Sequence, residues 1–314
     1  MVYRDKLTDS RRYGVVGMIS FAVSGVETWW WLPVLVPALI STITSIGGLS
    51  GAFLLLPFQM SLLDFTSPAV TPTNLLFNVI AIPSGVYSYM RQGRMVWPIT
   101  WAVVLGTLPG VIGGVFIRIL LFPDPRHFKL FVAIVLAYVG YRLVAQVLRG
   151  GTEKSDKHGT FRVSGEYLKL TELGFSFEGK GYRIKTLPIL LLSFIVGLIG
   201  GTYGIGGGAI IAPFLVTIFG LPIYVVAGAS LMGTFLTSII GVLFYAFLAP
   251  VFVPMTLPVQ PDWMLGLMFG VGGAIGMYTG ARLQKWIPAT IIKLLLALMI
   301  GAVVPKYSIE WFQA

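Results

Sequence analysis

The amino-acid sequence predicts an all-α polytopic membrane protein: two inverted repeats, each a glycine-broken helix pair plus three spanning helices, preceded by one N-terminal helix. Three observations carry this. Only 11% of the 314 residues are charged and 56% are hydrophobic, with a mean hydropathy of +0.86, whereas a soluble domain carries about 25% charged residues. Trp29 to Leu63 and Thr186 to Pro261 contain no charge at all, and each outruns the roughly 20 residues that cross a bilayer. Finally, the apolar chain divides into halves that resemble each other, each opening on a long segment interrupted by glycines.

Residues 1–32 come first. Arg4, Lys6, Arg11 and Arg12 precede an apolar run from Tyr13 to Leu32 that only Glu27 interrupts. No small-residue cleavage site follows, and the run is long for a signal peptide. The expectation is a retained spanning helix, with Trp29, Trp30 and Trp31 in the interfacial aromatic belt; an in-plane amphipathic helix is the alternative. The first repeat is expected over 33–149 and the second over 187–314. Between them, 150–186 is a polar, cytoplasmic loop in which "TFRVSGEYLKL" and "GFSFEGKGYRIK" alternate as short strands do.

The duplication is read by placing "GAFLLLPF" (Gly51 to Phe58) on "GGAIIAPF" (Gly207 to Phe214). Pro57 then matches Pro213, Asn74 matches Ser230, and Asn78 matches Thr234. Further on, "GGVFIRILL" (Gly113 to Leu121) matches "MYTGARLQK" (Met277 to Lys285), with Arg118 on Arg282. Internal duplication of this kind marks many secondary transporter folds. Pro33 to Leu63 is broken by "SIGGLSG", and Leu187 to Phe219 by "GGTYGIGGG". Each segment is either one tilted helix or a re-entrant pair of half-helices of about 10–13 residues. Re-entrant pairs put the N-terminal cluster, Arg91 with Arg94, the polar loop, and Arg282 with Lys285 on the cytoplasmic side, as the positive-inside rule favours.

"GTYGIGGGAI" (Gly201 to Ile210) has the glycine density of a phosphate loop. A dinucleotide loop, however, would follow a strand and have an acid about 20 residues on, and Ala227 to Ser230 holds none. Two readings remain. Small residues let helices pack closely. Backbone leaving helical geometry also presents the N–H groups and positive end of a following half-helix, which bind oxyanions.

With these residues in view, the chain resembles the sulfite exporter family TauE/SafE. The resemblance is carried by "GIGGGAIIAPFL" (Gly204 to Leu215), "GGLSGAFLLLPFQ" (Gly47 to Gln59) and "TGARLQKWIPATIIKLLLALMIG" (Thr279 to Gly301). It implies export or exchange of small sulfur anions such as sulfite, thiosulfate and organosulfonates. An anion channel for the same substrates is the alternative, and a membrane scaffold a further one.

The candidate substrate-binding residues at the first break are Ser45, Gly47, Gly48, Ser50 and Gly51. At the second they are Tyr203, Gly204, Gly206, Gly207 and Gly208. On the helices that follow, Asn74 with Asn78, and Ser230 with Thr234, share a face at i and i+4, supplying uncharged donors. Interhelical hydrogen bonding is the competing role for these side chains. Arg91, Arg94, Arg118 and Arg282 are candidates for gating or attracting the anion. Arg118 and Arg282 sit near helix ends, where snorkelling to the headgroups is the cheaper reading, and Arg91 and Arg94 read first as cytoplasmic anchors.

The chain has no cysteine, and His127 and His158 lie outside the apolar runs, so neither a metal nor another cofactor is expected. No enzyme chemistry is expected either, because no cluster of nucleophiles, bases or ligands falls in the membrane part. The net charge of +10 reads as loop Lys and Arg rather than nucleic-acid binding. The expected partners are a small inorganic or organic anion and membrane lipid, with a homodimer left open, and the expected location is the cytoplasmic membrane of a prokaryote. The two breaks are expected to face each other; breaks lying far apart would remove the site.

Overall fold

The computed structural model describes residues 17–46, 49–91, 93, 95–148, 163–177, 179–208, 210–252, 258–283 and 289–313. A small antiparallel hairpin opens it, β1 (Met18–Ser20) pairing with β2 (Glu27–Trp29). This corrects the expectation of an N-terminal spanning helix from Tyr13 to Leu32. Gly25, at φ +69°, turns the chain where a helix would have to continue. The tip is then held from afar: Ser24 donates through N and Oγ to Asp262 Oδ2, at 3.0 and 2.8 Å. The hairpin tip is thus tied to the start of α9 by one buried carboxylate.

The first half continues as α1 (Leu32–Ile46), α2 (Ala52–Leu62), α3 (Val70–Arg91), α4 (Trp97–Leu121) and α5 (Pro125–Leu148). The second runs α6 (Thr186–Tyr203), α7 (Ile211–Phe219), α8 (Ile223–Leu243), α9 (Trp263–Leu283) and α10 (Ala289–Gln313). α8 is prolonged by a π-helical turn, Phe244–Leu248, and a last helical turn, Ala249–Phe252. Among the described residues four stretches are long and apolar enough to cross a membrane: Trp97–Leu121, Thr186–Tyr203, Val225–Leu248 and Trp263–Leu283. α1, α2 and α7, with 15, 11 and 9 residues, reach about 14–22 Å at 1.5 Å per residue, short of a core about 30 Å thick.

The second break is narrower than its glycines suggest. Gly200 and Gly201 stay helical, so α6 has 18 residues, more than the half-helix expected from the sequence. Its upstream flank, Thr186 to Ile199, is uninterrupted by glycine except at Gly197, and the helix ends only where Gly204 turns left-handed.

Helices pair across the halves: α4 packs on α6, α9 on α1, α3 on α8, α5 on α10, α9 on α3, and α4 on α8. Small residues permit the two closest seams. On α4, a Cβ at Gly110 would lie 2.3 Å from the Phe194 carbonyl oxygen, and one at Gly114 would lie 2.4 Å from that of Leu198. On α9, Gly272 and Gly276 meet the Val34 and Ala38 carbonyls of α1 at 2.0 and 2.2 Å in the same sense. Backbone thus touches backbone where bulk would hold the helices apart.

The polar segment forms the expected strands as a three-stranded antiparallel meander, β3 (Val163–Leu168), β4 (Glu172–Phe177) and β5 (Lys180–Lys185). Leu173, Phe175 and Phe177 of the central strand are buried. Glu166 accepts a hydrogen bond from the Trp97 backbone N–H at 3.2 Å, joining the sheet to the start of α4. Burial pushes this carboxyl above its ordinary range, and the Trp97 bond opposes the shift.

Candidate functional site

The two chain breaks meet on α3. Asn74 Nδ2 donates to the Ala52 carbonyl at 3.0 Å and to the Gly204 carbonyl at 2.9 Å, so one amide group bridges the first turn of α2 and the end of α6. One turn later Asn78 repeats the bridge. Its Nδ2 donates to the Ile205 carbonyl at 2.9 Å, and its Oδ1 accepts from Ser50 Oγ. A third tie is Tyr203 Oη, which donates to the Phe53 carbonyl at 2.8 Å. Ser50, Asn74, Asn78 and Tyr203 are all fully buried. The i, i+4 spacing of the asparagines puts both amides on one line, and that line joins the breaks. The described part of the first break, around Ser50 and Ala52, is thereby tied to the second; Gly47 and Gly48 lie outside the described residues.

At the second break the backbone itself dictates glycine. Gly204 ends α6 at φ +83° with its N–H on the Gly200 carbonyl, and Gly206 follows at φ +80°; only glycine takes such angles without strain. Gly207 N donates to Thr237 Oγ1 at 3.0 Å. α8 lies directly on this turn: a Cβ at Gly208 would sit 2.1 Å from the Ser230 carbonyl, and one at Gly206 would sit 2.8 Å from Ser238 Oγ. Thr234 Oγ1 turns back to the Ser230 carbonyl at 2.8 Å. Close packing and broken backbone are therefore properties of the same residues.

α2 and α7 both begin at the breaks, where Ser50 Oγ accepts from the Ala52 N–H at 3.3 Å and the Gly208 carbonyl accepts from the Ile211 N–H at 3.2 Å. The first N–H groups of a helix have no partner within it, and its N-terminus bears about half a positive charge. The second break is lined by further buried hydroxyls, and Ser230 Oγ and Ser238 Oγ have no hydrogen-bond partner among the described residues.

The remaining candidates separate. Ser45 Oγ bonds back to the Thr42 carbonyl at 3.3 Å and lies against Gly280 of α9, in the helix seam. Arg91 is exposed, 5.7 Å from the Tyr87 ring, as suits a surface anchor; Arg94 lies outside the described residues. Arg282 is exposed and lies 4.4 Å from the Tyr278 ring. Arg118 corrects the snorkelling expectation: it is fully buried, its Nε donating to Thr71 Oγ1 at 3.1 Å. The stem points inward because Phe128 of α5 closes over the guanidinium, 3.8 Å from the ring centroid. Matched positions in the two halves thus have opposite environments.

Three residues escaped the sequence reading. Gln59 Nε2 donates to Asn74 Oδ1 at 3.0 Å, completing the asparagine's bonds; the only Gln in the charge-free Trp29–Leu63 run was the available signal. Ser238 extends the Ser230, Thr234 face by one more turn. Thr107 of α4 stands over Gly207, whose Cβ would lie 2.5 Å from the Thr107 Cβ; no spacing within α4 pointed to it. A surface cleft lined by Met90, Gly93, Met95, Trp97, Val163 and Glu166 lies away from the breaks, where the sheet meets the α3–α4 turn. Among the described residues no group of three His, Cys, Asp or Glu is placed to hold a metal.

Helices of membrane-crossing length, paired through glycine seams around two buried chain breaks, define a multi-pass helical membrane protein. The family model for sulfite exporter TauE/SafE matches residues 34–307, and the chain belongs to that family. It is also similar to the probable membrane transporter protein YunE of Bacillus subtilis (strain 168), with 24% identity over 188 residues. That alignment covers 58% of this chain and 65% of the relative. No solved structure matches.

Proposed function

We propose that the chain is a secondary carrier that exports small sulfur-containing anions, such as sulfite, thiosulfate or organosulfonates, across the cytoplasmic membrane. The anion is held near mid-membrane, where the breaks meet between two inverted repeats with re-entrant half-helices. The observation that carries this reading is the double bridge of Asn74 and Asn78 between Ala52, Gly204 and Ile205. Membership of the sulfite exporter family supports the choice of substrate class.

The repeat reading is supported by the helix pairings, which map onto one another when the halves are exchanged. α4 on α6 corresponds to α9 on α1, α9 on α3 to α4 on α8, while α3 with α8 and α5 with α10 correspond to themselves. Broken helices at a repeat interface are where carriers of this architecture bind substrate.

The chemistry follows from the donors. An oxyanion between the N-termini of α2 and α7 meets two positive helix ends in a desolvated site. The asparagine amides now serve backbone carbonyls. If the anion takes those donors, Ala52, Gly204 and Ile205 lose their partners and the tie between the halves loosens. Binding and opening are thereby coupled, as alternating access requires. The full burial of the bridge supports a closed carrier over an open channel. Outward movement of a monoanion gains about 2.3 kcal/mol per 100 mV when the interior is negative, so the membrane potential suffices to drive export.

Flux of sulfite, thiosulfate and ethanesulfonate into or out of proteoliposomes tests this. Saturable flux that falls in Asn78→Ala is expected. No anion-dependent flux would sink the reading, and flux that never saturates would replace the carrier by a channel.

A further inference from the structure

Among the described residues the Arg118 guanidinium has no counter-charge. Its Nε and Nη1 donate to Thr71 Oγ1 and the Phe122 carbonyl, but Nη2 is buried without an acceptor. Among the described residues no carboxylate lies within ion-pair distance of it. The carbonyl end of α4 and the face of Phe128 offer partial negative charge. Neither amounts to a full charge, and an unpaired cation inside a membrane protein is costly to keep.

A second buried polar group packs against the same stretch of α4. Tyr245 is fully buried, its hydroxyl has no partner among the described residues, and its neighbour Phe244 meets Phe116 edge-on, 5.1 Å between ring centroids, two residues before Arg118. Tyr245 sits in the π-helical turn at the end of α8, a distortion that recurs at functional sites. Leu75, Val115 and Val242 pack with Tyr245 into an apolar cluster, which keeps the local dielectric low. The position adjoins the breaks, because Thr71, which holds the Arg118 Nε, also packs on Gly204 at a distance that leaves no room for a Cβ.

We propose that Arg118 Nη2 and Tyr245 Oη form a second binding station for a small oxyanion, beside the glycine breaks and in one half only. The guanidinium supplies the charge and the phenol O–H a directed donor. The matched Arg282 is exposed, so the station has no counterpart in the other half, and an anion crossing the protein meets it on one side of the breaks. This inference rests on the carrier reading for the class of anion, but its test does not require transport.

The purified full chain in detergent is titrated with sodium sulfite and with sodium thiosulfate, using chloride as the reference salt. Calorimetric affinity and the thermal midpoint are measured for the wild type, Tyr245→Phe, Arg118→Lys and Arg118→Met. Tyr245→Phe removes an oxygen with no partner among the described residues, so its midpoint in chloride should equal or exceed the wild type's. Its oxyanion affinity should fall about tenfold, as expected for one hydrogen bond to a charged group. Arg118→Met should lose the oxyanion-dependent rise in midpoint, with Arg118→Lys in between. If Arg118→Met does not fold, Tyr245→Phe decides alone. A wild type that shows no oxyanion binding overturns the station, as does unchanged affinity in folded Tyr245→Phe and Arg118→Lys. Arg118-dependent binding without flux keeps the station and removes the carrier reading; saturable flux equal in all variants does the reverse.

Discussion

Asn74→Ala is the most informative perturbation of the bridge. The side chain makes three hydrogen bonds: to the Ala52 and Gly204 carbonyls and from Gln59 Nε2, at 3.0, 2.9 and 3.0 Å. All three partners are buried with it. A neutral hydrogen bond contributes about 1 kcal/mol, and a buried group left unpaired costs about 1–3 kcal/mol. Within membranes, measured interhelical bonds average about 0.6 kcal/mol. Carbonyls keep a second lone pair, so their loss is the milder one, while the Gln59 amide becomes wholly unpaired, its Oε1 already lacking a partner. The expected loss of stability is therefore about 2–3 kcal/mol. Gln59→Leu in the same background should recover about 1 kcal/mol, because removing both partners of a buried bond avoids the unpaired group. Unfolding of the purified protein as wild type, two single variants and the double variant gives the coupling directly. A loss below about 0.5 kcal/mol for Asn74→Ala, or strict additivity with Gln59→Leu, would refute the reasoning.

Further outcomes follow from the same geometry. Gly206→Ala must place a side chain at φ +80° against Ser238 Oγ and Thr234 Cγ2, both 2.8 Å away; a loss of about 2–4 kcal/mol is expected from backbone strain plus overpacking, read as a lowered thermal midpoint and reduced flux. Gly110→Leu should prevent α4 from seating on α6, since even a Cβ would stand 2.3 Å from the Phe194 carbonyl oxygen; size-exclusion chromatography should show loss of the monodisperse species, whereas Gly181→Ala on β5, with open space around it, should leave it unchanged. Asp262→Ala removes an acceptor shared by Ser24 and by the Leu265 N–H of α9; about 1–2 kcal/mol is expected for the cap, together with faster hydrogen exchange across β1 and β2. Exchange there that matches the wild type would break the link between the carboxylate and the hairpin.

Much of this molecule was legible because its signals are local. The charge-free runs around α1, α6 and α8 require burial in lipid or protein whatever the fold, and the alternation in 163–185 specifies strands without long-range help. The i, i+4 asparagines could be assigned one face from helical geometry alone. What was not legible depends on distant partners. The apolar pattern of residues 18–29 suits a helix or a hairpin, and the hydrogen bonds that tie the hairpin tip to Asp262 appear only in the tertiary structure. The roles of Gln59, Thr107 and Ser238 appear only when α2, α4 and α8 are brought against the breaks. Arg118 and Arg282 hold matched places in the sequence, yet one is enclosed by Phe128 and the other lies in the open.

The sequence by itself thus determined that the chain is a mostly helical membrane protein, and that glycines crowd its long apolar segments near residues 47–51 and 200–208. Those properties follow from solvation and backbone sterics, which each segment expresses alone. Only the tertiary structure decided that the two interruptions are tied through Asn74 and Asn78, and that one arginine faces inward beside Phe128. A hydrogen bond or a buried charge is a relation between groups far apart along the chain, and packing of the halves supplies the second partner.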